Sequence, residues 1–113
     1  MKSSKLIIAG AAAVLLAACV QPPASPAEAA ARKAAGAEYA ARNCGAFVGG
    51  FSDARELRDV ANQQITIARN LGADDAMINT ARTDVQTAVS TTAAFTSQRE
   101  ACGQLVSSLA WQT

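Results

Sequence analysis

The chain has no histidine. That absence removes the side chain most used as a general base near neutral pH, the usual nucleophile–histidine triads and most zinc sites. No glycine-rich loop of nucleotide-binding form occurs, and the Ser/Thr-rich stretch TDVQTAVSTTAAFTSQ has no lysine or histidine beside it to activate a hydroxyl. Neither enzyme activity nor a cofactor nor a metal is expected. Aromatics are only 4% of the residues (Tyr39, Phe47, Phe51, Phe95 and Trp111), so any core must be built from smaller side chains. Proline occurs only at 22, 23 and 26, and no segment shows the β-branched alternation of a strand. Charge is nearly balanced. Ten basic and nine acidic side chains give +1, and without Lys2 and Lys5 the balance is −1. No basic face of the kind that nucleic acid requires follows from that, so nucleic acid is not an expected partner.

What the chain does have is alanine, and from Ala27 onward nothing forbids helix. The expected class is all-α. Ser25-Pro26-Ala27-Glu28 reads as a helix start: Ser25 can cap, Pro26 suits the first helical position, and Glu28 stands where a capping box wants it. Gly49-Gly50 is the first serious weakness, because each glycine costs about 1 kcal/mol against alanine in a helix. Ser52-Asp53 can cap a fresh start, and Gly72 suits a helix C-terminus. Asp74 or Asp75 then caps a helix running from about Ala76 to the last few residues; a calcium site is the alternative use of that acidic pair. Glu38, Glu56 and Glu100 are scattered as solvated helix-face charges are.

Two of the three cysteines stand in similar frames, NCGAFV and ACGQLV. Cys44 and Cys102 are equidistant from position 73, where the Gly72 and Asp74 signals independently place a turn. An antiparallel hairpin about that turn sets Phe51 opposite Phe95, Leu57 opposite Val89 and Ala61 opposite Val85. Ile78, Ala81, Val85, Ala88, Thr92, Phe95, Arg99, Cys102 and Val106 recur at steps of three and four, a coiled-coil seam interrupted at Arg99. The expected fold is therefore a helical hairpin stapled by a Cys44–Cys102 disulfide, with Gly45 and Gly103 letting the backbones draw together. Its first helix would run in line and kink at Gly49-Gly50. The alternative is a three-helix bundle, with the segment before Gly49 folded back on the next.

Lys2 and Lys5 precede an uncharged run from Leu6 to Ala18, too short for a comfortable membrane span, and the run ends Leu16-Ala17-Ala18-Cys19. This resembles the lipobox of bacterial lipoproteins. The resemblance implies a signal peptide at 1–18, lipid on Cys19, a tether over 19–25 and a helical domain at 26–113. It places the protein in an oxidising envelope compartment, the usual setting for a structural disulfide. The absence of aspartate after Cys19 favours the outer membrane, by analogy with enteric lipoproteins. The major outer-membrane lipoprotein of enteric bacteria is the nearest analogy, anchored and helical. This sequence ends Trp111-Gln112-Thr113, without the terminal lysine which that family joins to peptidoglycan, so wall attachment is not implied.

The expected function is that of a membrane-anchored periplasmic module, structural or assembly-related, which binds an envelope protein or copies of itself. A small inhibitor or exclusion protein, binding one enzyme or one incoming apparatus, is the alternative. The expected interaction face is the first helical segment, through Ala30, Ala34, Ala37, Tyr39 and Ala41, because a surface of small residues lets another helix approach closely.

Overall fold

The computed structural model describes residues 23–45 and 51–111; the side chains of 51–53 and 110–111 are outside the description. The described residues form four helices: α1 (Pro26–Asn43), α2 (Phe51–Asn70), α3 (Asp75–Phe95) and α4 (Gln98–Trp111). The class is all-α, as expected.

Helix α1 starts where its capping signals place it. The Ser25 hydroxyl accepts from the Glu28 amide at 3.1 Å, and the Glu28 carboxylate accepts from the Ala24 amide at 3.1 Å. One of the donors orphaned at a helix start, the Glu28 amide, is thereby satisfied, and the Glu28 side chain reaches back past the cap. Helix α2 ends in a Schellman turn: the Ala73 amide bonds the Ala68 carbonyl, the Gly72 amide bonds that of Arg69, and Gly72 has φ +106°. Asp74 then caps α3 by accepting from the Met77 amide at 2.8 Å, while Asp75 pairs with Arg69 across the turn. Both aspartates have structural partners. Helix α2 begins at Phe51, so Ser52 and Asp53 lie inside it instead of preceding it.

Helix α1 is the hub. It packs antiparallel along α2 and also touches α3 and α4. By contrast α2 and α3, joined by only a few residues, do not lie along each other. At one end of α1, Ala27, Ala30, Ala31 and Ala35 pack with Ala68, Ala73, Ile78 and Ala81, flanked by Ile65, Met77 and Val85. At the other end, Ala40 and the two cysteines pack with Tyr39, Leu57, Leu105, Val106 and Leu109. The Glu38 carboxylate, itself largely shielded, pairs with Arg42 in α1 and with Arg82 in α3.

This arrangement corrects the in-line hairpin and its register. The chain folds back between α1 and α2, as in the bundle alternative, but with four helices among the described residues. The proposed kink at Gly49-Gly50 lies outside the described residues. Because α2 and α3 do not lie along each other, the seam does not pair Leu57 with Val89 or Ala61 with Val85. Phe95, expected in that seam, is 86% exposed. Nor does one helix run from residue 75 to the end. It breaks at Thr96 (φ −126°, ψ −102°), after which Ser97 caps α4 by accepting from the Glu100 amide at 3.1 Å. Upstream, the hydroxyls of Thr92 and Thr96 donate to carbonyls four residues back, which bends a helix near its end. Ser97-Gln98-Arg99-Glu100 is a capping-box pattern in plain view.

The packing around α1 leaves no room for larger side chains. Ala31→Leu should destabilise by about 1–3 kcal/mol through overpacking, whereas exposed Ala94→Leu should stay within about 0.5 kcal/mol of wild type. Equal urea midpoints for the two variants would show that α1 is not central.

Candidate functional site

Three features have a claim to function: the lipobox, the cysteine staple and the surface left uncovered by the bundle. Leu16 to Cys19 lie outside the described residues, so the structure does not bear on lipid attachment. Phe47 also lies outside them.

Cys44 and Cys102 form a disulfide with their Cα atoms 5.4 Å apart, and both are fully buried. It joins the C-terminal end of α1 to the first turns of α4. That route differs from the one expected: Cys102 reaches Cys44 because α4 doubles back after Ser97. The flanking glycines are not what lets the helices close. A Cβ added at Gly103 would meet nothing within 4 Å, and one at Gly45 would only touch Ala54 at 3.9 Å. The small neighbours that are buried at the staple are Ala40 and Ala101. At the other end of this contact a Cβ on Gly36 would meet Leu109 at 3.3 Å, so there a missing side chain does bring α1 and α4 together.

The expected interaction face is not available. Ala30, Ala34, Ala37 and Ala41 are all buried under the chain's own helices, with Ala37 at 0% exposure. Tyr39 is half-buried against the disulfide cluster. Alanine does invite close approach, but the approaching helices are α2, α3 and α4. A hairpin leaves α1 bare before Cys44, and a bundle does not.

The uncovered surface is of two kinds. Helix α2 carries exposed Arg55, Glu56, Arg58, Asp59 and Arg69. The C-terminal half of α3 and all of α4 are almost free of charge: from Val85 to the end of the chain only Arg99 and Glu100 are ionisable apart from the paired Cys102. Between α3 and α4 runs an open groove of about 250 Å³, lined by Ala88, Val89, Thr92, Ala101, Gln104, Leu105 and Ser108. Ala88, Thr92 and Phe95 recur at steps of four and three, so Phe95 continues the groove's own stripe at its end. Ile67 and Leu71, 44% and 52% exposed, are the other large apolar side chains exposed among the described residues, and they lie at the opposite end by the Gly72 turn. Among the described residues no group of three or more Cys, Asp or Glu could hold a metal ion, and no helix is long and apolar enough to cross a membrane.

Sequence reasoning missed this surface because it spent Phe95 on the seam. The signal was there: residues 85–98 hold no charge at all, more than a buried seam needs, since a helix with one buried face usually carries charges on the other. Comparison with known proteins finds no family model, no curated protein and no solved structure that matches the chain.

Two variants test the staple. Replacing both Cys44 and Cys102 with alanine should cost about 4 kcal/mol by the loop-entropy argument for a loop of this length, read as a fall in urea midpoint. Gly103→Ala should keep the disulfide and raise stability by about 0.5–1 kcal/mol, as expected of an exposed helix position with free space around it. A loss of stability there would restore the glycine to a packing role.

Proposed function

We propose that the protein is a lipid-anchored component of the bacterial cell envelope, held by Cys19 on the periplasmic side, at the outer membrane, and that it acts as a structural or assembly module by binding protein. The observation that carries this reading is the division of labour among three cysteines. Two form a fully buried staple, the kind of bond that suits an exported chain. The third ends a basic-then-hydrophobic leader in the lipobox pattern. Absence of catalytic groupings in the sequence leaves binding as the role, and the uncharged α3–α4 surface with its exposed phenyl ring supports it. Interface centres are depleted in charge and enriched in aromatics.

An anchor on Cys19 would sit only a few residues before α1, and Pro22-Pro23 would keep that tether extended at roughly 3.1 Å per residue. The hub helix would thus stand close to the membrane at its N-terminal end. Exposure of Phe95 equally suits the small-inhibitor reading, in which the bound protein is an enzyme or an incoming apparatus.

Intact mass of the membrane-purified protein should match residues 19–113 plus acyl groups. Cys19→Ser should leave the precursor unprocessed by the lipoprotein pathway and lose the acyl mass. A Cys19→Ser protein processed and membrane-bound like wild type would overturn the proposal.

A further inference from the structure

We infer that the uncharged α3–α4 surface binds a second copy of this chain, through a two-fold contact in which Phe95 of each copy enters the groove of the other. The inference deepens the reading of the protein as an interaction module and rests on it.

Geometry supplies the first reason. A two-fold contact requires one patch to be complementary to itself, so that whatever projects on one copy meets a recess on the other. This patch holds both. Phe95 projects, at 86% exposure, and the recess between Val89, Thr92 and Leu105 begins one turn away on the same stripe. A protein with only the ring or only the groove would need a different partner.

Charge supplies the second. Residues 85–98 and 101–111 bring no ionisable group to the contact apart from the disulfide-bonded Cys102, so two copies meet without repulsion and without burying a charge. The same neutrality offers nothing to a strongly charged partner. It also argues against a lipid surface, because helices that lie on membranes pair their apolar side with Lys and Arg. The lips of this groove are Gln104 and Ser108.

Position and area agree. Glu38 and Arg82 pair side by side at 3.2 Å, which sets the end of α1 level with about residue 88. At 1.5 Å per residue, Phe95 then stands about 10 Å beyond it, at the end away from Pro26. Two helices side by side over about 20 Å present on the order of 400 Å² of projected surface per copy, about half of what a stable specific interface buries per partner and in the range of weak, transient contacts. The expected dimer is therefore weak in solution, with Kd on the order of 10–100 μM, and is strengthened wherever the chains are concentrated on a surface.

The test uses the full chain in detergent. Sedimentation across that concentration range should show a monomer–dimer equilibrium. Phe95→Ala should raise Kd at least tenfold, and Gln104→Glu with Ser108→Glu should do the same. All of these positions are exposed, and unchanged melting confirms that the fold is intact. A photo-reactive benzoylphenylalanine at 95 should cross-link to residues 88–108 of a second copy, in detergent and in cells. A chain that stays monomeric throughout and forms no such adduct overturns the inference. If the adduct is instead to a different protein and is lost in the Gln104→Glu, Ser108→Glu variant, self-association fails while the interaction reading stands. If purified Cys19→Ser protein binds neutral phosphatidylcholine vesicles and Phe95→Ala abolishes this, with no protein adduct, the surface is a membrane contact and both readings fall. No adduct of any kind likewise removes both.

Discussion

Everything in this fold depends on α1 being thin. A helix covered on several sides must let each neighbour's backbone come close, and only residues that end at or before Cβ allow that. Helix α1 buries Ala27, Ala30, Ala31, Ala34, Ala35, Ala37, Ala40 and Ala41, together with Gly36. Larger side chains reach it from outside: Ile78 from α3, Leu105 and Leu109 from α4, Ile65 and Leu57 from α2. Small-in-the-middle, large-at-the-rim packing builds a core with few aromatics. Alanine contributes little burial energy per residue, because apolar stabilisation scales with area. It also loses no side-chain entropy on folding and has the highest helix propensity.

A core of that kind is shallow, and the disulfide compensates at the place where it is weakest. Helix α4 is short and begins only after a break, so it has less packing than its neighbours to hold it. The break at Thr96-Ser97 and the bond at Cys102 act together: the first turns the chain back, and the second fixes it to α1 within two turns of the turning point. Closing the long loop from Cys44 to Cys102 constrains the unfolded chain most where the folded one has least to offer. Leu105, Val106 and Leu109 then need only follow.

Local chemistry proved legible, and long-range register did not. The caps at Ser25 and Asp74, the glycine turn at Gly72 and the cysteine pair could all be read from the residues, because each depends on a few neighbours or on one covalent preference. The in-line hairpin failed through a symmetry that was not structural. Cys44 and Cys102 are equidistant from the Gly72 turn whether or not the helices on either side are continuous, and neither is. Alanine was ambiguous for a related reason. Its spacing on α1 marks a face, but a face of small residues is the same pattern whether the helix packed on it belongs to the chain or to a partner. Deciding that required knowing that Asn43 ends one helix and Phe51 begins another. For Ser97-Gln98-Arg99-Glu100 the signal was local and sufficient, and the seam reading overrode it.

With lipid on Cys19, as proposed, any pull between the membrane and the far tip enters the fold through the tether at the start of α1. It leaves α1 through Cys44, across a covalent bond, into α4 next to the uncharged surface. Neither α2 nor the Gly72 turn lies on that path. Those parts are held to α1 by side-chain packing, and the exposed Arg69–Asp75 pair across the turn contributes little. The chain thus keeps its mechanical connection from membrane to tip in one helix and one disulfide, and leaves its charged helix α2 on the side where solubility is all that is required of it. A staple between α2 and α3 would have closed a shorter loop, constrained the unfolded chain less, and left α4 held to α1 by side-chain packing without a covalent bond. Placing the bond between the hub and the last helix secures both the weakest element and the longest path with a single pair of cysteines.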